Sequence, residues 1–133
     1  MVTGAVIAQL HGVTMTHFPV GDDNLPTRAH LLIEPQRHII DLSDLKDDEA
    51  VALGLLIQKG VRVLKAELGV EHVYVFRIND KTAHVHFHLI PRYADTPKEY
   101  WGLKIMEYPN RQKIHIGEVK ELSVALKSAV DLL

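Results

Sequence analysis

Three histidines alternate with apolar residues in His84-Val85-His86-Phe87-His88-Leu89-Ile90. With nine histidines in 133 residues, random order would supply this H-x-H-x-H pattern about 0.04 times per chain, so the pattern calls for a cause. On an extended strand successive side chains alternate faces, which sends the three imidazoles to one side at roughly 6.5–7 Å spacing. Val85, Phe87 and Leu89 then point to the other side, where a helix can bury them. A packed apolar row thus fixes a titratable row. Such a row suits two chemistries. Imidazoles on a strand can ligate a metal ion. They can also carry out phosphoryl or nucleotidyl transfer, one ring attacking phosphorus while its neighbours orient it, bind oxygens and protonate the leaving group. The chain continues into Pro91-Arg92 with no acidic residue at close spacing, and an arginine there suits an anionic ligand better than a cation. The residues favour anion chemistry over metal binding, with accidental clustering third.

The elements that must position this row are legible in outline. Gly4–Leu10 and Val13–Val20 are rich in β-branched residues and flank His11-Gly12, a tight turn. Gly21–Arg28 reads as a loop, and Ala29–Glu34 as a short strand stopped by Pro35. Leu53, Ile57, Val61, Leu64 and Leu68 share one stripe of a long helix that begins at Asp47-Asp48-Glu49 and stops at Gly69. Ser43 or Asp44 is expected to cap a short turn before it. Gly54 and Gly60, each costing about 1 kcal/mol in a helix, are expected where the helix approaches a sheet. Val73–Ile78 and His84–Ile90 read as an antiparallel hairpin joined through Asn79–Ala83. Beyond Pro91 the chain is expected to be irregular until about Asn110. A terminal helix follows from about Glu118, with Val119, Leu122, Leu126 and Val130 on one face. This order indicates an α+β domain: an antiparallel five-stranded sheet covered on one side by a long helix, with a second helix at the C-terminus.

Composition removes several function classes. The length suits one domain spanning 1–133, with its core at about 13–93. No apolar run approaches the ~20 residues of a membrane span, and no secretory leader is visible at the start. A formal charge of −2 makes a polymeric nucleic acid an improbable partner. The absence of cysteine rules out disulfides, thiolate zinc sites, iron–sulfur clusters and cysteine nucleophiles, and fits a cytoplasmic setting.

The segment His84–Ile90 fits the H-φ-H-φ-H-φ-φ signature (φ apolar) of the histidine triad (HIT) nucleotide hydrolases and transferases. Upstream, Ala29-His30-Leu31-Leu32-Ile33-Glu34-Pro35-Gln36-Arg37-His38 resembles the family's G-H-φ-φ-φ-x-P-x-x-H stretch. The resemblance covers roughly residues 13–93. It implies a HIT-like fold, a small-molecule nucleotide substrate, no cofactor, no metal site, and a homodimer whose sheets join into ten strands. By position, His86 matches the nucleophile that attacks the α-phosphate and becomes nucleotidyl-histidine. His88 matches the residue that contacts the phosphate and the leaving-group bridge. His84 and His30 match the supporting histidines. Asp22 matches the acidic residue that binds ribose hydroxyls, although Asp22 and Asp23 are also plain turn formers.

There are departures from the family pattern. The Gly-Gln-Ser/Thr phosphate-binding segment is shortened here to Asn79-Asp80-Lys81-Thr82-Ala83, leaving Asn79, Lys81 or Thr82 to substitute. Ala29 replaces the usual Gly, which is tolerable if the backbone there is extended. The Cys-x-x-Cys zinc element of some relatives is missing. Arg92 is either a phosphate contact or a solvated strand end. Tyr100 and Trp101 suit a subunit interface or a pocket wall, while Lys98, Lys104 and Arg111 read as a solvated face. His38 is expected to make a structural hydrogen bond, and His11, His17, His72 and His115 to occupy surface or packing positions. Two other functions compete: a non-catalytic nucleotide sensor, motivated by the altered 79–83 loop, and a His-rich metal-dependent enzyme.

Overall fold

Strands and helices alternate along the chain as β1 (Ala8–Leu10), β2 (Val13–His17), β3 (Leu31–Pro35), α1 (Asp47–Leu68), β4 (His72–Phe76), β5 (Phe87–Arg92) and α2 (Val119–Asp131). The computed structural model describes residues 1–133 apart from 24 and 78–82. The sheet is antiparallel throughout in the order β1-β2-β3-β5-β4, the five-stranded α+β arrangement expected. Its first hairpin closes through His11-Gly12, with φ of 46° and 76°, the left-handed pair that a two-residue turn needs.

Strand ends differ from the pattern-based bounds for identifiable reasons. β2 stops at His17 because Pro19 has no N–H to give, and Val20 instead exchanges two hydrogen bonds of 2.7 Å with Val2. β3 begins two residues late because Ala29 takes φ 67° in a turn that closes from His30 N–H to Thr27 C=O. β5 begins at Phe87, not His84, since Val85 donates its N–H to Ile39 C=O at 2.7 Å and leaves the ladder. The same strand runs on through Pro91 and Arg92. There β3 has already ended opposite Leu89, and only β4 lies alongside, with Val73 facing Pro91.

α1 packs on one face of this sheet. Glu49 accepts a hydrogen bond from Lys46 N–H at 2.8 Å, satisfying one of the free donors at the helix start. Asp41, not Ser43 or Asp44, caps the short turn before it by accepting from Ser43 N–H at 3.1 Å. The buried face comprises Ala52, Leu53, Leu56, Gly60, Val63 and Leu64, and Ile57, Val61 and Leu68 flank it half-buried. It covers Val13, Met15, Leu31, Ile33 and Leu89, the inward residues of β2, β3 and β5. A Cβ at Gly60 would stand 2.5 Å from Leu89 Cδ1 and 3.1 Å from Met15 Sδ, so close approach does explain that glycine. Gly54 is different: it is exposed, with nothing near its Cβ position.

α2 buries Val119, Leu122, Leu126 and Val130 as expected. The segment expected to be irregular carries two 3₁₀ turns, Lys98–Tyr100 and Gly102–Glu107. Among the described residues no helix is long and apolar enough to cross a membrane.

Candidate active site

The sheet face away from α1 carries His88 and Ile90 of β5, with Phe76 and Tyr74 opposite them on β4 and Leu32 on β3. Alternation puts them there, because Leu89 and Leu31 point to α1. His30 enters from the turn before β3, its Nε2 2.9 Å from His88 Nδ1. Phe18 stacks beneath it at 4.4 Å between ring centroids. His86 stands edge-on to His88 at 4.9 Å. Thus His86, His88 and His30 form one contiguous cluster.

His84 turns elsewhere, because it precedes the strand. Its Nε2–H donates to Pro35 C=O at 2.9 Å, and its Nδ1 accepts from Ile39 N–H at 3.2 Å. Those two bonds define a neutral ring with both nitrogens engaged. Glu34 Oε2 lies beyond hydrogen-bond reach at 3.7 Å, and His38 stacks on the ring at 5.3 Å. His38 therefore supports the site by stacking, and among the described residues its ring makes no hydrogen bond of the kind expected of it. The backbone carbonyl of His84 in turn accepts from His86 Nδ1–H at 2.7 Å. With its Nδ1–H held there, the neutral His86 ring keeps its lone pair on Nε2.

The second tautomer follows from cost. His30 Nδ1 is buried without a partner. A buried N–H left unpaired costs more than a buried lone pair. His30 therefore carries its proton on Nε2 and donates it to His88 Nδ1, which leaves His88 with an Nε2–H. Burial holds His30 neutral and lowers its pKa to about 3, helped by the repulsion it would meet from His88 and His17, were they protonated, and from Arg111. His88 is also lowered, by burial first and by His86 second. His17 beneath them is a buried packing residue: its Nε2 accepts from Ala29 N–H at 3.0 Å and its Nδ1 donates to Phe18 C=O at 2.8 Å.

Beside His30 and His88 opens a cavity of about 230 Å³ whose other walls are Phe76, Ile90, Leu103, Ile105 and Met106. Three of these belong to the second 3₁₀ turn, which no periodicity had marked. Phe18 also lacked any signal beyond its place after β2. A larger cavity, about 540 Å³, lies across the fold between β1, α1 and α2. It holds none of the histidines.

Of the remaining sequence-selected residues, those that are described fall outside the cluster. Asp22 is exposed on its loop, and its neighbour Asp23 lines a polar cleft with Leu25, Arg111 and Lys113. Arg92 is not a solvated strand end. It is buried, with Nη1 donating to Tyr74 Oη at 2.8 Å, Nη2 3.6 Å from Glu71 Oε1, and Cζ 3.6 Å above the Trp101 ring. Trp101 covers this arginine and donates Nε1–H to Thr96 C=O at 3.1 Å. Asn79, Lys81 and Thr82 lie outside the described residues. Ala29 is not extended: its φ is 67°, so an extended backbone is not what makes alanine tolerable there. Among the described residues no three His, Asp or Glu side chains converge as a metal site.

Fold and site together define an α+β domain that presents a histidine cluster on the open face of an antiparallel sheet. The HIT domain model matches residues 20–95, and the chain belongs to that family. An uncharacterized HIT-like protein of Methanocaldococcus jannaschii is 35% identical over 77 residues, which span 54% of this chain and 59% of that one. The adenosine 5′-monophosphoramidase of Schizosaccharomyces pombe is 32% identical over 116 residues, or 81% of this chain and 78% of the other. The diadenosine triphosphate hydrolase of Plasmodium falciparum shares the fold, with a TM-score of 0.68 at 14% identity over 96% of this chain and 76% of that one.

Proposed function

We propose that the protein cleaves the α-phosphate linkage of a nucleoside phosphoramidate, a dinucleoside polyphosphate or a related AMP conjugate through a nucleotidyl-histidine intermediate. One observation carries the reading: the bond from His86 Nδ1–H to the His84 carbonyl, which leaves Nε2 free beside His88. Nε2 forms a bond to the α-phosphorus as the bond from phosphorus to the leaving oxygen or nitrogen breaks. Neutral imidazole is a poor acid, so the bound phosphate must draw one further proton onto the row. That proton enters the His30–His88 pair: His30 becomes the Nδ1–H tautomer, its Nε2 accepts from His88 Nδ1–H, and the His88 Nε2–H passes to the leaving atom. Water then attacks the same phosphorus, giving its proton to the emptied Nε2 of His88, and the P–N bond breaks to restore His86. His84 acts as a positioning residue, and His30 orients His88. The relation to a phosphoramidase at 32% identity supports the substrate class.

A metal-dependent reading has less support, because both ring nitrogens of His84 are already engaged. Incubation with adenosine phosphoramidate or diadenosine triphosphate labelled in the α-phosphate, quenched without acid, is expected to leave label on the wild type. None is expected on His86→Ala, with turnover lowered about 10³-fold or more. A variant as active as the wild type would end the covalent reading.

We also propose a homodimer. β4 is an edge of the single-chain sheet, and Val75 on it is exposed. Two-fold pairing there would give the ten-stranded sheet and cover the edge. Sedimentation is expected to give twice the 15.0 kDa chain mass; a monomer at micromolar concentration would count against it.

A further inference from the structure

After the second 3₁₀ turn the chain returns and pairs with the segment before His30. Arg28 N–H donates to Gln112 C=O at 2.8 Å, Ile114 N–H donates to Pro26 C=O at 3.1 Å, and Thr27 bridges Lys113. Arg111 and Lys113, two residues apart, share a cleft of about 300 Å³ with Asp23 and Leu25. The Arg111 guanidinium is anchored on two backbone carbonyls, Leu25 at 3.2 Å and Tyr108 at 3.5 Å, and its Nε is buried without a partner. Carbonyls fix a guanidinium without cancelling its charge. Among the described residues neither Arg111 nor Lys113 forms an ion pair. The cleft also adjoins the histidine cluster through the chain itself, since Gln112, between Arg111 and Lys113, accepts from Arg28 N–H two residues before His30. Arg111 is thus not part of the solvated face that its place in the sequence suggested.

We propose that Arg111 and Lys113 form a second anion subsite, which binds a phosphoryl group of the nucleotide other than the one His86 attacks. This rests on the nucleotidyl-transfer reading of the histidine cluster. Two cations outside any ion pair, on a segment paired with the chain before His30, provide a seat for phosphate oxygens. Asp23 works against occupancy, because its carboxylate shares the cleft. A nucleotide with one phosphoryl group leaves the seat empty. One with a longer 5′ chain, or with a second phosphate on the ribose, fills it.

Calorimetry with AMP, ADP and adenosine 3′,5′-bisphosphate tests the subsite and separates the two sources of the second phosphate. Wild type is expected to bind ADP or the 3′,5′-bisphosphate about 10-fold more tightly than AMP, the gain of one charge-assisted contact. Lys113 is exposed, so Lys113→Gln should fold normally and lose most of that gain. Asp23→Asn should increase it. Equal affinity for all three nucleotides, or a gain that survives Lys113→Gln, would overturn the subsite. The two readings fail separately. Label on His86 together with equal affinities removes only the subsite. Absent label together with a Lys113-dependent gain removes only the transfer chemistry.

Discussion

His84 shows how far one residue's role depends on contacts that sequence spacing does not encode. Alternation identified the imidazole row, and the central and last rings do sit together. Yet the ring of His84 is fixed by Ile39 and Pro35, 45 and 49 residues away. Replacing it by Phe would strand the Ile39 N–H and the Pro35 carbonyl, costing about 1–3 kcal/mol for unpaired polar groups. It would also release the segment that aims His86. The expected result is a fall in kcat at nearly unchanged KM, because both ring nitrogens are engaged by the protein's own backbone; steady-state kinetics beside a urea melt separates this from simple unfolding. An increase in KM alone would contradict the positioning role. Ala29 offers a second case. Its left-handed φ of 67° costs roughly 1–2 kcal/mol. Against that, its Cβ is fully buried and contributes about 0.8 kcal/mol, and alanine restricts the unfolded chain by about 0.4–1 kcal/mol relative to glycine. These nearly cancel, which is how alanine survives there. Ala29→Gly is therefore expected to leave stability within about 1 kcal/mol of wild type, whereas Ala29→Val, β-branched at positive φ, should lower it by more.

At the level of elements, the two glycines of α1 separate what periodicity reveals from what packing decides. Both interrupt the same helical pattern, and nothing local distinguishes them. The structure does, because Gly60 faces Leu89 and Met15 while Gly54 faces solvent. Gly54→Ala should therefore stabilise the protein by about 1 kcal/mol, the difference in helix propensity. Gly60→Ala gains the same propensity but forces its methyl into a fully buried Leu89, and overpacking of this kind costs about 1–3 kcal/mol. The net change is expected to be destabilising, opposite in sign to its neighbour. Denaturant midpoints of the two variants check this, and equal shifts would show that α1 does not approach the sheet so closely. The helices were legible because a 3.6-residue stripe is a local property. Strand ends were not, since β5 gains Pro91 and Arg92 only where β4 lies alongside and β3 has ended. The wall formed by Leu103, Ile105 and Met106 depends equally on tertiary placement.

For the whole molecule, the neutral histidines buried along the sheet make acid stability a readout of the site. The native pKa of His30 is lowered from 6.5 to about 3, with burial the main cause, and those of His17 and His88 move the same way. In the unfolded chain these rings take up protons near pH 6.5, whereas the native state keeps them neutral. Stability is therefore fully present above pH 6.5 and falls as the pH drops toward the native value, because the unfolded state binds more protons throughout that window. For His30 the slope approaches about 1.4 kcal/mol per pH unit. Carboxylates contribute at lower pH. Glu49, held by Arg37, is lowered from 4.5, and Asp41, held by Ser43, from 3.8, so their contributions are lost only below those values. The interval from pH 6.5 to 4.5 is left to the histidines. Urea unfolding of wild type and His30→Gln across it should give a shallower pH slope for the variant, by close to one proton's worth. His30→Ala, which removes the donor that sets the His88 tautomer, is also expected to turn over substrate more slowly at every pH. If the two slopes are equal, His30 is not the neutral, buried partner of His88, and the proton assignment built on it falls.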